Sequence, residues 1–316
     1  MQFKYFFISL LTLVALIATG CSHSRNIVPY EVDTDVVFRP LAPNEEENPN
    51  DYTFGKANIP GFIFDNDFTT SKEDTYVYFS NLTILDVAPA INQHLFNFII
   101  AQLTEYGFVE PSYSFPDNEV TSLMNQGLNY KEASAAILDN FKTAFDNQVD
   151  TITSYGSPFN AYFLIYPVFL DDNYITYRES AYCYTGGAHG INITYLKTFD
   201  LKSGEELSFD DIVKPEHAGV VREEIAAHMA YSYPIYENIK TVQQYVDSLN
   251  VWLDNFNDSD NNEMITVKNF PAGDIALLKE GLGVIYQMYE LTPGSDGCPI
   301  VVIPYKDIKG CLKIEM

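Results

Sequence analysis

Two spacings of apolar residues alternate along this chain. Ile59–Asp65 and Tyr76–Leu85 carry β-branched and aromatic residues in an imperfect two-residue alternation and read as strands. Asp86 then precedes Val87-Ala88-Pro89, a helix start with proline in its first turn. Ile91, Leu95, Phe98, Ile99 and Leu103 follow at steps of three and four, and Gly107 lies just past them. A second helical stripe runs through Ala133, Ala136, Ile137, Phe141, Ala144 and Phe145. Each stripe gives a helix one greasy face, which needs a sheet to cover it.

The middle of the chain is β-like. Ala161–Leu170 and Tyr174–Tyr184 flank the polar turn Asp171-Asp172-Asn173 and predict a hairpin, and Ile191–Leu201 is a third strand. Lys202-Ser203-Gly204 makes another tight turn. Helices return at Ala218–Tyr231, striped by Val221, Ile225 and Met229, and near Thr241–Leu253, striped by Val242, Tyr245, Val246, Leu249 and Leu253. Asp254–Glu263 is a polar loop. Ile275–Tyr289, with Gly281 at a turn, and Ile300–Tyr305 read as strands, and a short helix or cap precedes Cys311. Strands and helices in separate runs predict an α+β fold: antiparallel sheets with helices packed on one face, in two adjoining subdomains.

The N-terminus does not belong to that fold. Lys4 precedes an apolar run over Phe6–Ala18, then Ala18-Thr19-Gly20 leads to Cys21 and polar sequence. The run is shorter than the ~20 residues a membrane span needs. Small residues before a cysteine predict a bacterial signal peptide over residues 1–20 and lipidation of Cys21. Residues 21–51, with Pro29, Pro40, Pro43, Pro49 and Glu45-Glu46-Glu47, read as a tether that cannot bury enough apolar surface to order itself. The expected location is the bacterial cell envelope, held to the membrane through the lipid, with no span beyond the leader.

Composition narrows the partners. Eighteen basic against 43 acidic side chains give a formal net charge of −25. Nucleic acid is thereby excluded, since phosphate binding needs clustered Lys and Arg. Such a surface steers cationic partners; it also serves solubility alone. Beyond Cys21 only Cys183, Cys298 and Cys311 remain, with no CxxC pair, so neither a zinc ribbon nor a thioredoxin-type motif is supported. Cys298 and Cys311 are open to pairing, and all three are equally open to burial as small apolar residues.

The most unusual local sequence is Tyr184-Thr185-Gly186-Gly187-Ala188-His189-Gly190. Its glycines permit positive φ and close backbone approach. Its amides suit an anion, and His189 suits acid–base or ligand chemistry near neutral pH. The same residues equally describe a tight strand corner with His189 bonded to backbone. No catalytic constellation accompanies them: G-x-S-x-G, S-x-x-K, H-E-x-x-H and a P-loop are all missing. His23, His94, His217 and His228 show no metal-ligand spacing with His189, and His94 and His228 read as surface or boundary residues of helices. Asp254, Asp258, Asp260 and Glu263 fail the EF-hand pattern, because Phe256 or Glu263 falls on a required position. No catalytic residue, metal ligand or cofactor is assigned.

Tyr184–Gly190, with Thr198-Phe199-Asp200-Leu201-Lys202-Ser203-Gly204 and Leu207-Ser208-Phe209-Asp210-Asp211-Ile212, resembles a paired bacterial envelope module, DUF4163 followed by DUF3298. Gly281–Tyr286, Tyr289-Glu290-Leu291, Gly297 and Ile303-Pro304-Tyr305 fit as well. The resemblance implies a DUF4163-like subdomain over 52–190 and a DUF3298-like one over 191–316. It also implies a relation to the lysozyme-binding extracellular part of the sigma-V anti-sigma factor and to the N-terminal part of a peptidoglycan deacetylase. What carries over is a binding module for a cationic, lysozyme-like protein or for a cell-wall component such as peptidoglycan. The alternatives are a cell-wall hydrolase or deacetylase with a site near His189, and a structural partner in an envelope complex.

Overall fold

A computed structural model describes residues 51–54, 57, 59–65, 75–153, 159–235, 239–256 and 264–314. The leader, Cys21 and nearly all of the tether lie outside the described residues, as do Asp258, Asp260 and Glu263.

Strands β1 (Asp51–Phe54), β2 (Ile59–Phe64), β3 (Tyr76–Leu85), β4 (Asn160–Leu170), β5 (Tyr174–Tyr184) and β6 (Ile191–Asp200) form one sheet in sequence order. Helices α1 (Pro89–Glu105), α2 (Glu119–Asn125) and α3 (Tyr130–Thr153) connect β3 to β4. The other pairings are antiparallel, as expected, and only β3 and β4 among the paired strands of this sheet run parallel. The cause is the helical crossover, which carries the chain back to the end of the sheet where β3 began. After the four-residue α4 (Phe209–Ile212) come α5 (Ala218–Ser232) and α6 (Val242–Phe256). Strands β7 (Asp274–Leu277), β8 (Gly281–Ile285) and β9 (Ile300–Pro304) form a second, antiparallel sheet.

Side-chain alternation stacks these elements in four layers. Ile91, Leu95, Ile99 and Leu103 of α1 and Ile137, Phe141 and Phe145 of α3 share one core with Val77, Phe163, Ile175 and Tyr177 of the large sheet. The opposite face of that sheet presents Tyr166, Val168 and Leu196 to Ala276, Leu278, Ile285 and Val302 of the small sheet. The small sheet turns Ile275, Leu277, Val284 and Ile303 the other way, onto Val221, Ile225, Val246 and Leu249 of α5 and α6. The fold is therefore α+β, each sheet carrying helices on one face and meeting the other sheet on the opposite face. Burying these faces supplies the main driving force, about 25 cal/mol per Å² of apolar surface removed from water.

Hydroxyls tie the sheets together as well. Thr176 Oγ1 donates to the Leu277 carbonyl at 2.6 Å, and the Leu277 N–H donates to Thr198 Oγ1 at 2.9 Å. Thr176 and Thr198 are 2.8 Å apart and both fully buried.

Two sequence expectations change, and one left open is decided. Ile275–Tyr289 is not one strand with a turn at Gly281: β7 ends at Leu277, and Gly281 opens β8. A Cβ there would lie 2.2 Å from the Ile303 carbonyl oxygen of the paired strand, so glycine is a requirement of close strand approach rather than of a turn. Residues 305–311 form turns, not a helix. Cys183, Cys298 and Cys311 are all free thiols, Cys183 and Cys311 buried.

Candidate functional site

Tyr184–Gly190 is the β5–β6 connection. Gly186 (φ 92°) and Gly187 (φ 101°) take the left-handed conformation that glycine adopts without penalty, and the Tyr184 hydroxyl donates to the Gly187 carbonyl at 3.1 Å. Gly190 has a different reason to be glycine: a Cβ there would lie 2.4 Å from Cζ of Tyr182. The loop descends onto that ring. His189 is exposed, with Nδ1 3.0 Å from the Gly190 carbonyl. A carbonyl only accepts, so Nδ1 carries the hydrogen and Nε2 is the free ring nitrogen of the neutral imidazole.

His189 borders a groove of about 340 Å³. Gln102, Glu105 and Tyr106, where α1 ends, form one wall; Ile191, Ile193 and Tyr195 of β6 form the floor; Gln287, Met288 and Tyr289, between β8 and β9, form the far wall. β6 is an edge strand, and the Gln287 side chain closes part of that edge. Its Nε2 donates to the Thr194 carbonyl at 2.8 Å, and its Oε1 accepts from the Thr194 N–H at 3.4 Å. One side-chain amide thus substitutes for a neighbouring strand, which blunts the edge. The Gln287 N–H in turn donates to Glu290 Oε2 at 2.8 Å. Tyr289 is held at φ 68°, the sole non-glycine with positive φ among the described residues, and remains 59 % exposed.

One carboxylate, Glu105, lines the groove. Burial raises the Tyr106 phenol, and the Glu105 charge raises it further. Tyr195 is raised by burial, then by the charge of Asp274; Lys197 works against this, and Glu105 and Glu179 raise it less strongly. Burial also raises the Glu290 carboxyl. Gln102 is 6 % exposed, and its Oε1 is a buried acceptor without a hydrogen-bond partner among the described residues. Orphan acceptors of this kind are rare in folded proteins.

Behind the groove lies a charge network that the sequence reading missed. Glu179 sits on the inward face of β5 between Tyr177 and Ala181, and its carboxylate is 3.0 Å from Nε2 of His94. Lys197 of β6 joins Glu206 at 2.9 Å and Asp274 at 3.0 Å. His94 is half-buried, a boundary residue as expected, and pairs with the buried Glu179, whereas His228 is not a boundary residue but lies 1 % exposed inside the second core. The available signal was a carboxylate at an inward position of an alternating strand. No group of three His, Cys, Asp or Glu residues suited to a metal occurs among the described residues.

Residues 210–306 match the family model described as "Protein of unknown function (DUF3298)", so the chain carries a DUF3298 domain there. Gln287, Met288 and Tyr289 of the groove fall within the match, whereas its α1 and β6 residues precede it. A crystal structure of a DUF3298 family member from Bacteroides fragilis is similar at 16 % identity and TM-score 0.47, covering 82 % of this chain and 95 % of that one. A crystal structure of a DUF3298 family protein from Pseudomonas aeruginosa is similar at 17 % identity and TM-score 0.41, covering 81 % of this chain and 94 % of that one. No curated protein matches the chain.

Proposed function

We propose that the protein is a non-enzymatic binding module, anchored in the bacterial envelope through an acyl group on Cys21, that holds a basic, lysozyme-like protein. The observation that carries the reading is the groove beside His189, which sets the exposed carboxylate of Glu105 among Tyr106, Tyr195 and Tyr289. Such a groove suits a lysine or arginine side chain, whose N–H groups meet the acceptors while its charge lies over a tyrosine face. The net charge of −25 would speed the encounter.

The test is calorimetric titration with purified lysozyme at low and high salt. Binding that weakens as salt rises and falls about tenfold in Glu105→Gln supports the reading. Salt-independent affinity, or none, refutes it. Turnover of purified peptidoglycan that disappears in a folded His189→Ala variant would replace it with the hydrolase or deacetylase alternative. Mass spectrometry of the N-terminal peptide tests the anchor: an unmodified Cys21 removes it.

A further inference from the structure

Helix α3 carries a second stripe beside its apolar one. Ile137, Phe141 and Phe145 face the core. Asn140, Thr143 and Asn147 recur at steps of three and four along the exposed flank, and Gln148 joins them. The segment 110–116, between α1 and α2, lies across that flank and leaves a groove of two adjoining pockets, about 350 and 470 Å³. Tyr113 and Asn147 line both, so the pockets are two halves of one site. The outer wall is held from within. Phe115 and Tyr113 lean on Phe141 at ring-centroid distances of 5.3 and 5.9 Å. Gln93, 6 % exposed, donates from Nε2 to the Pro116 carbonyl at 3.0 Å, and its Oε1 accepts from the Val120 N–H at 3.0 Å. A wall fixed in this way needs no ordering when a ligand arrives.

The charged residues among the described lining are Glu110 in one pocket and Glu119 in the other. An anionic ligand would meet like charge there. Between them stand groups that both give and take hydrogen bonds: the amides of Asn140, Asn147 and Gln148 and the Tyr113 phenol. Burial, and then the Glu119 charge, raises that phenol, so it keeps its hydrogen. The Ser112 and Thr143 hydroxyls donate within the protein, to Glu110 Oε2 at 3.3 Å and to the Asp139 carbonyl at 2.9 Å, and so offer lone pairs to the groove. A lysine or arginine has no acceptor for the amide N–H groups, whereas a sugar hydroxyl is donor and acceptor at once. The Tyr113 ring supplies an apolar surface for the C–H face of a pyranose. Asn140 and Asn147 are two turns apart, about 10 Å along the helix, which is room for two linked rings rather than one. Each pocket is of small-ligand size. We infer that this groove binds a neutral oligosaccharide, with two adjoining pyranose units lying one in each pocket against Tyr113. The inference does not rest on the reading of the groove beside His189, with which it shares no lining residue.

The experiment titrates the full chain with maltose, cellobiose and N,N′-diacetylchitobiose, each beside its own monosaccharide, and with tetralysine as a basic peptide, followed by saturation-transfer NMR and calorimetry. At least one disaccharide should bind about tenfold or more tighter than its monosaccharide, because two linked pockets act on one molecule. Raising the salt should leave that affinity unchanged, since no charge is paired. Asn147→Ala removes a side chain common to both pockets and should weaken the disaccharide about tenfold. That variant stays folded, because alanine suits an exposed position inside a helix. Glu105→Gln, in the other groove, should change nothing. Absence of binding by all three disaccharides, equal binding of disaccharide and monosaccharide, or affinity unchanged in Asn147→Ala would each overturn the inference. Binding of tetralysine in place of the sugars would assign the groove to a basic peptide and overturn it as well.

Discussion

His94 of α1 places Nε2 3.0 Å from the carboxylate of Glu179 on β5, an acid whose side chain is 1 % exposed in the layer between helices and sheet. Burial pushes the Glu179 carboxyl up, and the hydrogen bond and charge of His94, with the charge of Lys197, only partly reverse this. Burial alone would lower His94, but its hydrogen bond to Glu179 and the charges of Glu179 and Glu206 outweigh that and leave it raised. Both groups therefore hold a proton more tightly in the folded chain than in the unfolded one.

That direction fixes a pH dependence. A group with a raised folded pKa contributes stability that is complete below its unfolded value and lost as pH rises through the folded value. The unfolded reference is 6.5 for His94 and 4.5 for Glu179. Asp200, lowered by backbone hydrogen bonds from the Lys202–Ser203 turn, and Asp211, lowered by Ser208, work in the other sense. They contribute stability above 3.8 that is lost as pH falls through their folded values. Thermal unfolding should show its maximum between 3.8 and 6.5 and decline on the alkaline side. Glu179→Gln should flatten that alkaline limb. His94→Ala should cost most below pH 6.5, where the charged imidazole contributes in full, and progressively less as pH rises and that contribution is lost. An alkaline limb identical in both variants and the parent would sink this account.

Thr176 and Thr198 make a separate prediction about how the sheets are joined. Between them they satisfy both the N–H and the carbonyl of Leu277, in a site without exposure. Thr198→Val leaves the Leu277 N–H unmatched and should cost about 1–3 kcal/mol in urea unfolding. Because the hydroxyls bond each other, Thr176→Val and Thr198→Val should not add. A double-mutant cycle closing to within ~0.5 kcal/mol would show that the two act independently.

The glycines can be sorted by the atom each would meet. Gly281→Ala sets a Cβ against backbone, the Ile303 carbonyl at 2.2 Å, and should destabilise by about 3 kcal/mol or more. Gly187→Ala faces open space, so its cost is the left-handed backbone alone, about 1–2 kcal/mol. Gly190→Ala meets the far end of the Tyr182 side chain, which can swing aside. Its global cost should stay within about 1 kcal/mol, because exposed ring ends relax more readily than backbone. Chemical denaturation of the three variants checks the order, and a Gly281→Ala variant as stable as Gly187→Ala would contradict it.

Much of this architecture could be read from periodicity, because each helix buries one stripe. Every residue named for the α1 stripe, Ile91 to Leu103, is buried, as are Val221, Ile225 and Met229 of α5. The Asp171–Asn173 turn closes the β4–β5 hairpin as its composition indicates, with Asp171 accepting from the Asn173 and Tyr174 N–H groups. What escaped was non-local. α2 spans seven residues and buries just Val120, too little for a stripe to show. The parallel β3–β4 pair follows from where the crossover lands, which no local pattern encodes. The Gly-rich loop stood out in sequence. Its neighbours in the groove, Gln102 and Gln287, did not, because glutamines on a helix and in a turn ordinarily read as solvated surface.

Tyr289 separates strain from recognition. Its φ of 68° puts an L side chain in the left-handed region, which costs roughly 1–2 kcal/mol relative to a glycine. The ring lies across Gly294, where a Cβ would come within 2.1 Å of Cζ, yet it remains mostly exposed at the lip of the groove. A residue kept strained at an exposed position gains little for the fold. Tyr289→Gly should therefore leave thermal stability equal to the parent's or raise it by up to about 1 kcal/mol, since backbone relief offsets the lost ring contact. Affinity for lysozyme should meanwhile fall about tenfold, the usual penalty for truncating an aromatic anchor. If stability fell in step with affinity, the ring would be a prop for the β8–β9 connection. If stability held while affinity dropped, the strain would be the cost of presenting this phenol to a partner.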